Sequence, residues 1–129
     1  MDSAKTKYVA LTTYRRNGSA ATTPVWIVPF LDGYACTTEA KSFKVGRIRE
    51  RAAVSIVPST FKGKALPGHS SLPCDARIAS PEEYLAIEKL VRRKYWFLWH
   101  VAILPSEWWQ RVRRGVEVEN VGLIFIPHS

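Results

Sequence analysis

Groups that could hold a phosphate are concentrated in the segment T-T-E-A-K-S-F-K-V-G-R, which begins at Thr37. Thr37 and Thr38 would end a strand, and Ser42 would cap the helix that follows. Lys44 and Arg47, three residues apart, would lie on the same side of this helix. The N-terminus of a helix carries unpaired N–H groups and the positive end of the dipole, so the segment predicts a phosphate cradle without a glycine-rich loop. The alternative interpretation is a plain capped helix with solvated lysines.

The chain before this segment predicts a meander of three strands joined by short turns. β-Branched and aromatic residues favour the strands, and Asn17-Gly18 predicts a tight hairpin between the first two. Pro24 cannot donate a ladder hydrogen bond, so we expect it at a strand edge or a bulge. The three predicted strands span residues 7–14, 21–30 and 34–38.

The rest of the chain adds helices and further strands. Ser80, Pro81 and Glu83 form a strong helix start, with a capping box and a proline at the first helical position. Residues 59–73 hold several glycines and prolines and predict a long turn. The predicted helices span residues 43–51, 80–100 and 106–114, and the later strands span residues 53–58, 74–79 and 116–127. This order predicts a mainly β protein, a small antiparallel barrel with helices.

Composition narrows the class of protein. The 129 residues are 47% hydrophobic, which favours one globular domain over residues 1–129. No apolar run reaches the roughly 20 residues that span a bilayer, and the N-terminus lacks a signal-peptide core, so we expect a cytoplasmic protein without a membrane partner. Cys36 and Cys74 are then expected as free thiols, and no spacing suggests a metal site. The net charge of +8 attracts anions without choosing among them.

Three stretches in the first half of the chain, taken in order, carry a family resemblance: K-Y-V-A-L-T-T-Y-R-R-N-G, then T-P-V-W, then S-F-K-V-G-R-I-R. Their order and spacing resemble the pyridoxamine 5′-phosphate oxidase-like superfamily of flavin- and deazaflavin-dependent oxidoreductases. The resemblance covers residues 7–58 well. It continues less closely through A-R-I-A-S-P-E-E-Y and R-R-K-Y, and beyond about residue 100 only a terminal strand is similar.

The resemblance implies a six-stranded antiparallel split β-barrel that forms a two-fold homodimer, with the cofactor in a groove at the dimer interface. The residues that would hold the cofactor phosphate are Thr37, Thr38, Ser42, Lys44 and Arg47. Those along which its ring would lie, contacted mainly through the backbone, are Thr23, Pro24, Val25 and Trp26.

Two cofactor classes remain open within this family. FMN-binding members usually place an arginine on the second strand, where this chain has T-P-V-W. That departure resembles the branch that uses coenzyme F-420, a deazaflavin with a phosphate and an acidic tail, which the charge of +8 would suit. The implied activity is hydride transfer from reduced F-420 to a small apolar or unsaturated acceptor, with no catalytic side chain. The alternatives are an FMN-dependent oxidoreductase and a non-catalytic protein that binds F-420 or haem.

Other residues give weaker indications. The tryptophans Trp96, Trp99, Trp108 and Trp109 indicate a core or dimer contact, or an aromatic lid over the cofactor. The histidines His69, His100 and His128 are scattered and are interpreted as surface or helix-end residues. Nucleic-acid binding is the least favoured alternative, because the aromatic residues are not interleaved with basic ones on the predicted strands.

Overall fold

The computed structural model describes residues 6–95 and 120–128. The predictions for the tryptophan cluster, for His100 and for the helix at 106–114 therefore lie outside the described residues. Within them no helix combines the length and the apolar character that crossing a membrane requires.

The described residues form one curled antiparallel sheet and two helices. The strands are β1 (Tyr8–Tyr14), β2 (Ala20–Trp26), β3 (Val28–Phe30), β4 (Gly33–Glu39), β5 (Ala53–Ser59), β6 (Leu72–Ile78) and β7 (Asn120–Pro127). The helices are α1 (Phe43–Glu50) and α2 (Pro81–Lys94). The order across the sheet is β2-β1-β5-β6-β7-β4-β3, so strands that follow each other in the chain form its two edges. A sheet arranged in this way must curl on itself.

The second predicted strand is divided at Ile27, which gives seven strands where six were predicted. β2 pairs with β1, from Tyr8 opposite Trp26 onwards, whereas β3 pairs with β4. The Ile27 backbone takes part in neither ladder. Its N–H donates to the Tyr95 hydroxyl at 3.0 Å and its carbonyl accepts from the Lys94 ammonium at 2.6 Å. Side chains at the end of α2 thus satisfy the backbone where the strand changes partners.

Two hydrophobic clusters lie on the two faces of the sheet. The cluster inside the curl draws on six strands and is closed by Val45 and Ile48 of α1. On the other face, Ile87 and Val91 of α2, together with Tyr95 directly after the helix, pack against β3, β4 and β7. α1 therefore plugs the inside of the curl, and α2 covers the outside.

Helix α2 begins as predicted and ends earlier. Ser80 and Glu83 form the capping box, with Pro81 in the first turn. The helix stops at Lys94 and not near residue 100, which corrects the prediction. Tyr95 leaves helical geometry, with φ of −106°, and its ring packs on Trp26, a tertiary contact that the helical periodicity does not register.

The long predicted turn at 59–73 has local order, and β6 begins slightly earlier than predicted, at Leu72. Thr60 and Lys64 are joined by a backbone hydrogen bond of 2.9 Å, and Gly63 sits at the turn with φ of +86°. This turn lies against β2, since a Cβ added at Gly63 would be 3.2 Å from Cδ of Pro24.

Candidate functional site

A groove of about 640 Å³ opens between the start of β2 and the start of α1. It is the place where the curled sheet meets the helix that plugs it. Of the predicted cofactor residues, the groove is lined by Thr23, Ser42, Lys44 and Arg47. Strand β2 and the start of α1 thus bring these four residues together, although they are about 20 residues apart in the chain and β4, which leads into α1, is not a neighbour of β2 in the strand order.

The first turn of α1 has unused hydrogen-bonding capacity. Ser42 occupies the N-cap position with extended dihedral angles, but its side chain makes no capping hydrogen bond, contrary to the usual role of a capping serine. Its Oγ atom is buried and has no hydrogen-bond partner among the described residues. The first turn contains no acidic side chain that could complement the helix dipole. The first-turn amides and this hydroxyl are therefore suited to an anionic ligand.

Positive charge dominates the rim of the groove. Arg15, Lys41, Lys44 and Arg47 line it, against one carboxylate, Glu39. No carboxylate in the described part of the chain forms an ion pair with Lys44. Lys44 and Ser42 thus line the same groove, and a cation beside a hydroxyl without a partner is a combination that suits a phosphate.

Arg47 is oriented by a neighbouring aromatic ring. Its guanidinium carbon lies 5.8 Å from the centroid of the Phe43 ring, which is 83% exposed. This contact lies within the range of a cation–π interaction, and Phe43 itself lines the groove. The guanidinium is therefore held at the rim without a carboxylate partner among the described residues.

Cys36 is a buried free thiol in the core inside the curl and is not reactive. Burial raises the pKa of its thiol to about 12, although the positive charge of Lys44 acts in the opposite direction. Cys74, the second cysteine, is also a free thiol with a pKa raised to about 11, mainly by burial. Because the thiolate is the reactive form, neither cysteine is a nucleophile near neutral pH.

Three of the four β2 residues predicted along the ring have their side chains engaged elsewhere. Pro24 faces the turn at Gly63, and Val25 belongs to the core inside the curl. Trp26 stacks on Tyr95 with ring centroids 4.4 Å apart and planes 4° apart. Of these four residues only Thr23 lines the groove, where it is accompanied by its β2 neighbours Ala20, Ala21 and Thr22.

Thr37 and Thr38 do not line the groove. They lie on β4 opposite Gly122 and Val121 of β7. Successive strand side chains point to opposite faces, so the two hydroxyls are directed away from each other. The predicted phosphate-binding role of these two threonines stays a prediction without support from their position.

Four charged or aromatic lining residues were missed by the sequence analysis: Arg15, Glu39, Lys41 and Phe43. Lys41 and Phe43 flank Ser42, so their position beside the cap was a signal available in the sequence. Arg15 was not recognisable in this way, because its place in the groove depends on how β2 faces α1. Its guanidinium also donates to the Ala20 carbonyl at 2.9 Å, across the hairpin.

Comparison with known proteins gives structural neighbours only. No protein-family model matches the chain, and no curated protein matches it. A putative pyridoxamine 5′-phosphate oxidase from Listeria innocua aligns with a TM-score of 0.58 and 11% identity, over 98% of this chain and 88% of its own. A haem storage protein from Vibrio cholerae aligns with a TM-score of 0.63 and 12% identity, over 98% of this chain and 85% of its own. An F-420 reductase aligns with a TM-score of 0.58 and 15% identity, over 98% of this chain and 90% of its own.

These three proteins differ in their named ligands and share one architecture with this chain. The chain has the split-barrel fold. The predicted fold class is thus confirmed, with one more strand than expected because the second strand of this split barrel is divided at Ile27. At identities of 11–15% the likeness establishes the fold, and function has to be argued from the groove.

Proposed function

We propose that this split-barrel protein binds a phosphate-bearing, flavin-type cofactor in the groove between β2 and α1 and acts as an oxidoreductase. The observation that carries the proposal is the buried Ser42 hydroxyl without a partner among the described residues, at the start of a helix with no acidic first-turn residue. Lys44 and Arg47 line the same groove, which adds the charge that a phosphate requires.

The residues present fit such a cofactor in two parts. The phosphate would be held by the Ser42 hydroxyl, the first-turn amides of α1 and the Lys44 ammonium. The rest of the molecule would extend along β2 past Thr23, since β2 is an edge strand of the sheet that the described residues form. Thr37, Thr38, Pro24, Val25 and Trp26 are not needed for this arrangement through their side chains.

Between the two cofactor classes we favour coenzyme F-420 over FMN. β2 reads A-A-T-T-P-V-W and contains no arginine to pair with an FMN phosphate. Arg15 and Lys41 add positive charge beyond Lys44 and Arg47, which suits a ligand with more than one anionic group. One of the fold neighbours is an F-420 reductase, which is consistent with this preference.

The proposed reaction places the demanding chemistry on the cofactor. Reduced F-420, when bound, supplies a hydride to a small apolar or unsaturated acceptor. The chain would bind the phosphate, orient the ring along β2 and exclude water from part of it. Among the described residues the buried thiols of Cys36 and Cys74 are not suited to act as acids or nucleophiles at neutral pH. We further propose a cytoplasmic homodimer with the groove at its interface.

Titration of the purified protein with F-420 and with FMN, followed by isothermal calorimetry, tests the proposal. We expect micromolar binding of F-420 and weaker binding of FMN. Tighter binding of FMN would replace the deazaflavin assignment with the FMN-dependent one, and binding of neither would contradict the proposed function. Turnover of a model enone with reduced cofactor then separates an enzyme from a protein that only carries the cofactor.

A further inference from the structure

The end of α2 fixes the junction at which the edge strand changes partners. The Tyr95 hydroxyl accepts from the Ile27 N–H at 3.0 Å and donates to the Lys7 carbonyl at 2.5 Å. The Lys94 ammonium donates to the Ile27 carbonyl at 2.6 Å. Tyr95 is 3% exposed, and burial raises the pKa of its hydroxyl to about 12, so the proton needed for this bonding is retained. Ile27, whose N–H and carbonyl take part in these contacts, is paired in neither neighbouring ladder.

This junction connects the two walls of the groove. Before Ile27 the chain runs along β1 as β2, whose first half forms one wall. After Ile27 it runs along β4 as β3, and β4 ends at Glu39, where the connection to α1 forms the other wall. Ile27 therefore lies on the chain path that connects the β2 wall to the α1 wall.

We propose that Tyr95 is a positioning residue, whose hydroxyl fixes the β2–β3 junction and so sets the spacing of the two groove walls for a cofactor that spans them. The inference rests on the proposed function, since the spacing of the walls affects the affinity only of a ligand that contacts both of them. Tyr95 itself does not line the groove. Its effect on the ligand is transmitted through the seven paired residues of β2.

A phosphate ion and a whole cofactor should respond differently to a loosened junction. Phosphate alone would contact the α1 wall only, at Ser42 and Lys44. A complete FMN or F-420 would contact that wall with its phosphate and β2 with its ring. Removal of the Tyr95 hydroxyl should therefore weaken cofactor binding and leave phosphate binding unchanged. A general loss of stability would not affect one ligand and spare the other.

The test compares Tyr95→Phe with wild type and with Tyr34→Phe. Tyr95→Phe keeps the ring that stacks on Trp26 and removes only the hydroxyl. Tyr34→Phe removes a hydroxyl that makes no hydrogen bond within residues 6–95 and 120–128. For each protein the affinity for whichever of FMN and F-420 the wild type binds is measured by calorimetry. The affinity for inorganic phosphate is measured from the amide NMR shifts of Ser42 and Lys44.

We expect Tyr95→Phe to lower the affinity for the cofactor at least about fivefold, which is the lower end of typical coupling between sites. The affinity for phosphate should be unchanged. Tyr34→Phe should change neither. Unchanged cofactor affinity in folded Tyr95→Phe, or equal losses for cofactor and phosphate, would overturn the inference. If Tyr95→Phe does not fold, Lys94→Met is tested in the same way against its exposed neighbour Arg93→Met. A wild type that binds no flavin-type cofactor would instead refute the proposed function.

Discussion

Ser42 and Ser80 occupy the same backbone position at the starts of their helices, yet they use their hydroxyls differently. The Ser80 hydroxyl accepts a hydrogen bond from the Glu83 N–H at 3.2 Å, and the Glu83 carboxylate accepts one from the Ser80 N–H at 2.9 Å. α1 has Val45 where α2 has Glu83, so no reciprocal bond can form. The Ser42 hydroxyl has no hydrogen-bond partner among the described residues, and this difference between the two helix starts supports the candidate site.

Replacing each serine by alanine should therefore have opposite consequences. Ser80→Ala loses a capping bond and should lower the free energy of unfolding by about 1 kcal/mol, with cofactor affinity unchanged. Ser42→Ala removes a buried hydroxyl that forms no hydrogen bond with the described residues, so ligand-free stability should be unchanged or higher. Its cofactor affinity should fall roughly 2- to 12-fold, the worth of one hydrogen bond of about 0.5–1.5 kcal/mol.

Urea denaturation and cofactor calorimetry on the two variants supply the comparison. A loss of ligand-free stability in Ser42→Ala as large as that in Ser80→Ala would mean that Ser42 is an ordinary structural cap. In that case the hydroxyl could not be assigned to an anion.

At the scale of elements, the start of α2 should give the protein part of its acid sensitivity. The Arg77 guanidinium lies 2.7 Å from the Glu83 carboxylate and, with the Ser80 N–H, lowers the pKa of Glu83 to about 2. A carboxyl group with a lowered pKa in the folded protein stabilises it above its unfolded pKa of about 4.5. That contribution disappears as the pH falls towards 2.

The stability difference between wild type and Glu83→Gln should accordingly be constant above about pH 5 and shrink between pH 4.5 and 2. Urea denaturation across this range measures it. Glu82→Gln serves as the control, because Glu82 is an exposed acid in the same turn that forms no ion pair with the described residues. A difference that stays constant down to pH 2 would contradict the assigned pKa of Glu83.

Replacement of two glycines by alanine should change the stability of the protein in opposite directions. A Cβ at Gly33 would lie 2.1 Å from the Phe125 carbonyl oxygen of β7, so Gly33→Ala must displace paired backbone and should cost about 2 kcal/mol or more. Gly46 lies inside α1 with nothing within 4 Å of an added Cβ. Gly46→Ala should stabilise by up to about 1 kcal/mol, because alanine is the better helix former. The thermal unfolding midpoints of both variants and wild type measure these changes. A Gly46→Ala variant that is less stable than wild type would be inconsistent with the packing of α1.

Local signals predicted most of the elements. The hairpin at Asn17-Gly18, the capping box at Ser80 and the helix after Ser42 depend on neighbouring residues, so the sequence alone was sufficient for them. The division at Ile27 and the end of α2 depend on Tyr95, a residue 68 positions away from Ile27. No local pattern contains such a contact, which is why six strands and a longer helix were predicted.

The candidate site could likewise be predicted where its residues are close together in the sequence. Ser42, Lys44 and Arg47 are close in sequence and lie on one short helix, so their convergence followed from helical spacing. Thr37 and Thr38 were included because they precede that helix and because the family resemblance implies them. They do not line the groove, and their role stays a prediction. The contribution of Arg15 could not be predicted, because it depends on the curl of the sheet.

At the scale of the whole molecule, the charge of +8 should make cofactor binding depend on salt. A phosphate held at an open, cationic groove is screened by ions, since the Debye length falls from about 10 Å at 0.1 M to about 3 Å at 1 M. FMN affinity should therefore weaken several-fold between 0.1 and 1 M NaCl. Riboflavin, which has the same ring without the phosphate, should show little change. Equal salt dependence for the two ligands would argue against phosphate recognition.

The central claim is that the start of α1 binds the cofactor phosphate, and Lys44→Ala measured beside Lys89→Ala tests it most directly. Both variants lose one lysine, but Lys89 lies on the exposed face of α2, away from the groove. Calorimetric titration should show cofactor affinity reduced about 10- to 150-fold in Lys44→Ala, for a charge-assisted contact of about 1.5–3 kcal/mol, and unchanged in Lys89→Ala. Equal affinities in the two variants and wild type would contradict the claim.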